Sequence, residues 1–413
     1  MARTAVIGGG AAGFFLAVNL KERMPQMEVT IFERGQRVLR KVEVSGGGRC
    51  NCTNTFRGVT DLSQVYPRGH RLMKRLFHVF DYRDAYAWFE RHGVPLTVQA
   101  DECVFPRRQD SHAVIDCFLS LARRYGVEVV TGRSITSLNE LQDYDFVAVT
   151  TGGCPSMSEA SPSGRPSGKS PSLLQWLQMA GHEIETPVPS LFTFTIANAR
   201  LQALQGLVAD DAVAYILGTR FRATGPLLIT HWGVSGPAVL RLSSHAARYL
   251  SDNGYRAPLG INWLSKGEAE VLALLKETSV RQSQKQLTTL NPFGLAQRLW
   301  SLLVEEALGG QTGNRSMAIR WGELNRKDLS RLVNVLTNYT CQIEGRAPFR
   351  DEFVTCGGIA LASVNPTTLE SRSVPHLYFA GEVLDIDGVT GGFNFQAAWT
   401  TAYTVAQSIV SSV

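Results

Sequence analysis

The spacing of apolar and polar positions changes several times along the chain. Residues 3–7 form a short apolar run that stops at Gly8, which predicts a strand. Over residues 11–24, Phe14, Phe15, Ala17, Val18 and Leu20 supply apolar cover and Pro25 stands at the exit, which predicts a helix. The run "EVTIFE" at 28–33 predicts a second strand. Strand, helix and strand within about 30 residues is the length that a right-handed parallel unit needs. Helices are predicted over 72–92, ending at Gly93, and over 112–125, ending at Gly126. Strands are predicted over 127–131 and 144–150. The stretch 152–172, rich in Gly, Ser and Pro, reads as a long loop.

The pattern changes near Pro187. Between 191 and 231 it breaks into short β-like runs, "LFTFTI", "AVAYIL" and "PLLITH", which suggest a small antiparallel barrel or sandwich. Residues 265–340 turn helical. Ser265 with Glu268 reads as a capping box, and Asn325 with Asp328 as another helix start. Strand character returns after about residue 345. "HLYFA" at 376–380 is a strand that runs into a glycine-rich loop and a final helix. The expected fold is α/β. A Rossmann-like domain built from both termini, 1–188 and 346–413, encloses a β-rich, barrel-like domain at 189–262 and a helical insertion at 263–345. No internal repeat is evident.

Composition narrows the class. The 413 residues are 44% hydrophobic and 19% charged, a globular profile that excludes wholesale disorder. Lys and Arg (41) exceed Asp and Glu (36), for a net charge of +5. A surface that mildly basic permits an anionic ligand without demanding nucleic acid. The seven cysteines are an odd set with no repeated spacing, which argues against a disulfide framework and for a reduced, cytoplasmic setting. No paired Cys-x-x-Cys motif with matching His appears, so no metal is expected. The uncharged run Thr4–Leu20 is interrupted by glycines and is no signal peptide. The uncharged tail after Asp387 is rich in Thr, Ser, Gln and Asn, and reads as a buried helix, not a membrane span.

Gly8-x-Gly10-x-x-Gly13 follows a strand and opens a helix, and Glu33 ends the next strand 20 residues after Gly13. That is the dinucleotide fingerprint in its proper context. Gly8 allows the tight turn, Gly10 lets backbone approach a pyrophosphate, and Gly13 lets helix and sheet pack closely. The free N–H groups at the helix start face the phosphates. Glu33 is placed to accept from ribose hydroxyls. The fingerprint by itself does not separate FAD from NAD. The next segment, "RKVEVSGGGRCNCTN" from Arg40 to Asn54, adds three consecutive glycines with donors at Lys41, Ser45 and Arg49. Such a loop can wrap a second phosphate or a flat ring, or be a plain surface loop.

Together with "LLITHWGVSGPAVL" (Leu227–Leu240), "TTGG" (Thr150–Gly153) and "LYFAGEVLDIDGVTGGFNFQAAW" (Leu377–Trp399), this segment resembles a bacterial flavoprotein family. That family is described as FAD-binding, NAD(P)/FAD-dependent or aminoacetone-oxidase-like, and the likeness spans nearly the whole chain. The resemblance implies FAD as cofactor. It places Gly8, Gly10, Ala11, Ala12, Gly13, Glu33 and Arg34 at the adenosine diphosphate half. Arg40, Lys41, Ser45, Gly46, Gly47, Arg49, Cys50 and Asn51 would approach phosphate, ribityl chain and ring. Ile135 would present backbone to adenine, and Thr151 and Gly152 would border the site. Gly381 and Glu382 would lie at the ribityl chain, with Glu in place of the more familiar Asp, and Asp387 would flank them. Gly391, Gly392, Phe393 and Asn394 would begin a helix whose N–H groups and dipole face the flavin N1–C2=O edge.

Other positions carry weaker signals. Cys50 and Cys52 are a thiol pair near the implied ring, or simple packing. His231 is an acid–base candidate and Ser235 a candidate cap for a helix near Pro237. Asp385 and Asp387 either meet ligand or shape a turn. Arg107 and Arg108 could grip an anion, or lie in solvent. Arg320 and Trp321 read as packing. No Ser-His-Asp order or P-loop is present, which lowers hydrolase and kinase readings. The expected activity is that of an FAD-dependent oxidoreductase transferring hydride to or from a small molecule, with no catalytic acid or base assigned. NAD(P)H is a candidate electron donor, although no second Gly-x-Gly-x-x-Gly follows a strand. The alternatives are a flavin-bound RNA-binding or tRNA-modifying protein, which no aromatic-rich RNA motif supports, and a non-catalytic FAD-stabilised scaffold.

Overall fold

In the computed structural model, residues 1–153, 173–312, 319–347 and 354–413 are described. Most of the expected long loop, from 154 to 172 and including Cys154, lies outside them. The chain divides into two units, Met1–Ser190 with Phe349–Val413, and Leu191–Pro348.

The first unit is organised by a five-stranded sheet in the order Leu377–Phe379, Phe146–Val149, Arg3–Ile7, Glu28–Glu33, Glu128–Thr131. Every pairing is parallel. "TAVI", "FVAV" and "LYF" are apolar without alternation because helices cover both faces of such a sheet. Arg3–Ile7 has Glu28–Glu33 on one side and Phe146–Val149 on the other, so the strand order reverses at its carboxyl end. Ligands of open α/β sheets bind at that point.

The first helix, Ala11–Arg23, buries Phe14, Phe15, Leu16, Val18 and Leu20. Phe15 meets Trp88 at 4.6 Å and Trp399 at 5.2 Å between ring centroids, and Phe118 joins the same aromatic cluster. Trp399 belongs to the final helix, Phe393–Ser412, which is buried along most of its length as expected. Its buried hydroxyls are satisfied within protein: Thr400 donates to Phe80 O (2.9 Å) and Thr401 to Ala397 O (2.6 Å). Among the described residues, no helix is long and apolar enough to cross a membrane.

The single helix expected over 72–92 is two helices, His70–Leu76 and Tyr82–Arg91. Asp81 breaks it. Its carboxylate accepts from the Arg83 amide (2.7 Å) and the Asp84 amide (3.2 Å), and Asp84 accepts from the Asp81 amide (2.8 Å). This capping box starts a new helix inside a continuous apolar pattern.

The second unit is a closed six-stranded antiparallel barrel. The order is Val208–Ile216, Arg222–Ile229, Gly233–Ser235, Phe194–Ile196, Tyr339–Arg346 and Ala257–Asn262. The strand Tyr339–Arg346 closes the ring, pairing with both Ala257–Asn262 and Phe194–Ile196. Strand structure thus resumes at Tyr339, inside the span read as helical to 345. Helices Glu268–Arg281, Gln297–Thr312 and Arg326–Thr337 precede it. The Asn325–Asp328 box forms as expected. The Ser265–Glu268 box does not. Ser265 sits at φ 54°, and Gly267 is the N-cap. Asn262 shapes that turn instead, accepting from Leu264 N (3.1 Å) and donating to Lys266 O (2.8 Å). Trp321 is packing, as expected: it is fully buried and stacks on Trp300 at 6.2 Å.

Candidate functional site

The glycine fingerprint lies at the carboxyl edge of the parallel sheet. Gly8 N–H donates to Phe32 O (2.8 Å), and the Thr150 hydroxyl donates to Gly8 O (2.9 Å). Helix and sheet approach closely here. A Cβ on Gly13 would lie 2.1 Å from Gly8 O and 2.8 Å from the Thr150 hydroxyl. Gly10 is different. Its backbone is extended, it caps the first helix without a side chain, and a Cβ placed on it would meet no protein atom within 4 Å. The first-turn amides have no partner within the helix. With Ala11 and Ala12 behind, Gly10 offers donors and open space together, which is what a phosphate requires.

Glu33 is held by backbone. One carboxylate oxygen accepts from Gly9 N (2.9 Å) and the other from Gly35 N (2.7 Å). Each oxygen retains a further acceptor site for a ribose hydroxyl. Arg34 is exposed. The segment leading to Ile135 runs alongside, with Arg133 N–H donating to Glu33 O (3.0 Å), and the Ile135 side chain is buried in the core. The structure therefore brings Glu33 and the Ile135 segment together beside the fingerprint.

The second glycine run breaks its helix. In Arg40–Gly48, Ser45 is extended and Gly46, Gly47 and Gly48 have φ of 57°, 68° and 81°. A Cβ on Gly47 or Gly48 would meet nothing within 4 Å, so this loop also faces open space. Arg49 lies 4.3 Å above the Phe105 ring and its Nε donates to Gly46 O (3.1 Å). Arg40 is exposed, and Ser45 donates to Val42 O (2.8 Å). Lys41 Nζ donates to Glu382 Oε2 (2.7 Å), and the Thr355 amide donates to Glu382 Oε1 (2.8 Å). Burial works against the Glu382 charge, but the Lys41 charge and these hydrogen bonds hold the carboxyl below its ordinary value. Glu382 thus joins the glycine loop to the strand Val354–Ile359. Thr151 is exposed beside it, and Gly152 places its Cβ direction 3.8 Å from Glu382 Oε2. Gly381 N–H donates to the Thr401 hydroxyl (2.8 Å).

The two termini meet at the start of the final helix. The Asn51 carboxamide oxygen accepts from Gly392 N (3.1 Å) while its nitrogen donates to Thr53 O (2.9 Å) and Val104 O (3.2 Å). Asn54 Nδ2 donates to Gly391 O (3.0 Å), and the Tyr66 hydroxyl to Phe393 O (2.8 Å). Gly392 has φ 89°, and a Cβ there would lie 2.3 Å from Thr53 O, so only glycine fits. Phe393 is buried, and Asn394 exchanges two hydrogen bonds with Gly388, 2.8 and 2.9 Å. Apart from the Asn51 oxygen on the Gly392 amide, no side chain caps this helix, and no acidic residue lies in its first turn, so the amides after Gly392 keep its positive end.

The weaker candidates fall in different surroundings. Asp387, expected to meet ligand or to shape a turn, points into protein. Its side chain is fully buried, paired through both oxygens with Arg68 Nε and Nη2, and accepts from the Ser190 hydroxyl at 3.0 Å. Sequence reasoning passed over Arg68; its only signal was a cation between Pro67 and Gly69. Cys50 and Cys52 are buried free thiols with sulfurs 3.9 Å apart, and burial and the Cys50 neighbour push the Cys52 thiol well up. Ser235 does not cap the Pro237–His245 helix. Gly236 is its N-cap, and Ser235 bonds Thr193 at 2.7 Å. His231 is exposed beside Trp232, and Arg107 and Arg108 are exposed.

A profile described as the HI0933-like protein Rossmann domain matches residues 2–408. The chain belongs to the HI0933-like family. This is a family of FAD-binding oxidoreductases. Among its relatives, a 3-dehydro-bile acid delta(4,6)-reductase of Clostridium scindens is 27% identical, with 99% of each chain covered. A ribosomal RNA dihydrouridine synthase of Escherichia coli is 28% identical, with 98% of each covered. Among solved structures, the 3-ketosteroid delta1-dehydrogenase of Sterolibacterium denitrificans aligns over 100% of both chains at 10% identity, with a TM-score of 0.48.

Proposed function

We propose that this HI0933-like protein reduces a carbon–carbon double bond conjugated to a carbonyl group, using bound FAD with NAD(P)H as the electron source. FAD supplies two-electron hydride transfer when bound. The first-turn amides beyond Gly10 would hold the pyrophosphate, and Glu33 the ribose hydroxyls. The Gly46–Gly48 loop would hold the flavin end. The start of the final helix would stabilise negative charge on the reduced cofactor. Buried Phe393 and the stitched segments 51–54 and 391–394 exclude water there. One observation carries the cofactor assignment: two glycine-capped helix starts, at Gly10 and Gly392, belong to one unit, and open space faces the first of them.

The substrate class comes from chemistry that the relatives' names share. A delta(4,6)-reductase of a 3-dehydro bile acid saturates double bonds conjugated to a ketone. A dihydrouridine synthase saturates a pyrimidine double bond conjugated to a ring carbonyl. We place the reaction in the cytoplasm, where a reduced nicotinamide is at hand.

A second reading takes the substrate to be a uracil base within RNA. The Escherichia coli relative's name favours it, and the net charge of +5 permits it.

The test is anaerobic. The holoprotein is mixed with NADH or NADPH, then with a conjugated ketone or with ribosomal RNA. Bleaching of the flavin band by a nucleotide, with colour recovered on adding the ketone, is the expected result. Recovery with RNA alone selects the second reading. Failure of both nucleotides to bleach the flavin removes the nicotinamide-linked reductase.

A further inference from the structure

The Lys41–Glu382 ion pair is lopsided. Three donors hold the Glu382 carboxylate: Oε1 accepts from the Thr355 amide (2.8 Å), the Gly153 amide donates to it as well, and Oε2 takes the Lys41 ammonium (2.7 Å). The Glu382 side chain keeps 19% of its surface, against 55% for Lys41. Among the described residues, Lys41 makes this single bond, at the end of a flexible four-carbon stem. Glu382 is a fixed post and Lys41 a movable arm. Such a pair, half open to water, adds little to fold stability. Its place in the fold is what sets it apart.

On one side, Leu39 pins the start of the helix Arg40–Gly48 to the glycine fingerprint. Its amide donates to Gly9 O (2.8 Å). Leu39 is buried at φ 58°, a left-handed conformation that few residues other than glycine adopt. Lys41 follows two residues later. On the other side, Gly381 sits on the first helix, where a Cβ would lie 2.9 Å from the Ala12 Cβ, and Glu382 comes next. Gly152, two residues past the Thr150 that bonds Gly8 O, also faces Glu382, with its Cβ direction 3.8 Å from Oε2. Gly9 and Ala12 bracket Gly10, whose Cβ direction meets open space. The ion pair thus runs from one flank of that opening to the other.

We propose that Lys41 and Glu382 form a door across the dinucleotide crevice, and that its opening sets how fast FAD enters and leaves. This rests on the FAD reading above. Closed, the Lys41 arm reaches the Glu382 post. Swinging Lys41 into water breaks one hydrogen bond and leaves Glu382 on its two backbone amides, so the door opens without unfolding either element. A door slows entry and exit alike. A lysine that merely held phosphate would speed capture and slow release. A carboxylate that merely held ribityl hydroxyls would slow release alone.

The experiment measures FAD exchange, not turnover. Capture is read from quenching of FAD fluorescence on mixing with apoprotein. Release is read from exchange of bound FAD for excess isotope-labelled FAD. The variants are Glu382→Asp, which keeps the charge but is one methylene too short to reach Lys41, and Lys41→Met/Glu382→Gln. Both leave the net charge unchanged, so long-range attraction for the anionic cofactor is the same. In each, capture and release should both quicken about 5-fold, the scale of one partly exposed ion pair, with the dissociation constant nearly unchanged. Lys41→Arg, which can still reach the post, should stay near wild type. Gln keeps an acceptor for the Thr355 amide, so the double variant carries the test where Glu382→Asp does not fold. Unchanged rates in the variants would overturn the proposal. So would faster release with unchanged or slower capture, which marks the pair as plain cofactor ligands. Wild-type apoprotein that takes up no FAD would instead overturn the FAD reading, and the door with it.

Discussion

The indole N–H of Trp399 donates to the carbonyl oxygen of Cys52 at 2.8 Å, across 347 residues of sequence. With Thr53 bonded to Gln396 (2.6 Å) and Asn51 to Gly392, it forms a seam of buried polar contacts between the first and last segments of the chain. Burying such groups is costly unless each is satisfied, so the seam specifies one alignment of the two ends. Asn51→Ala removes three of its bonds. It should lower stability by about 1–3 kcal/mol and weaken flavin retention, read from denaturant midpoints and FAD content. Unchanged values for both would show that the seam is incidental.

Gly10 and Gly13 belong to one motif but predict different failures. A side chain at Gly10 meets no protein atom, whereas one at Gly13 collides with Gly8 O. Gly10→Val should fold with near wild-type circular dichroism and hold no FAD. Gly13→Val should lose stability by several kcal/mol, because backbone stands in the way. A Gly10→Val protein with full flavin content would contradict the assignment of that space to phosphate.

Much of this was legible in the sequence because local chemistry dictates it. The opening strand and helix, the Glu33 strand end and the Asn325–Asp328 box need only neighbours in sequence. What was hidden depends on distant partners. Tyr339–Arg346 alternates in burial, but its role as the strand that closes the barrel depends on Phe194–Ile196 and Ala257–Asn262. Asp387 read as a turn or ligand residue, because its partner Arg68 lies 319 residues away. Asp81 was overlooked because Phe77, Phe80 and Tyr82 keep the apolar pattern running through the break.

Glu306 and Glu382 should respond oppositely to pH. Burial raises the Glu306 carboxyl above its ordinary value of 4.5. Its ionisation is therefore disfavoured in the folded state, and stability falls as pH rises from about 4.5 through the raised value. Glu306→Gln should remove that loss and raise Tm at neutral pH, with little effect in acid. Glu382 is depressed, so its contribution is complete above 4.5 and is lost as pH falls through the folded value. Glu382→Gln should destabilise at neutral pH and converge on wild type in acid. Thermal melts across this range check both signs.

The Cys50–Cys52 pair should be chemically quiet. Both thiols are buried, and burial with the Cys50 neighbour pushes the Cys52 thiol up, so Cys52 forms little thiolate near neutral pH. A thiol reagent should modify neither until the protein unfolds, and Cys50→Ala/Cys52→Ala should leave flavin reduction unchanged. Rapid labelling of native protein, or loss of flavin reduction in the double variant, would restore a redox role.

The most direct measurement is the flavin content of purified, folded protein. Heat release and chromatography should yield close to one FAD per chain, and FAD-stripped protein should take the flavin up again. A folded preparation that is colourless and stays so in excess FAD would contradict the account at its root.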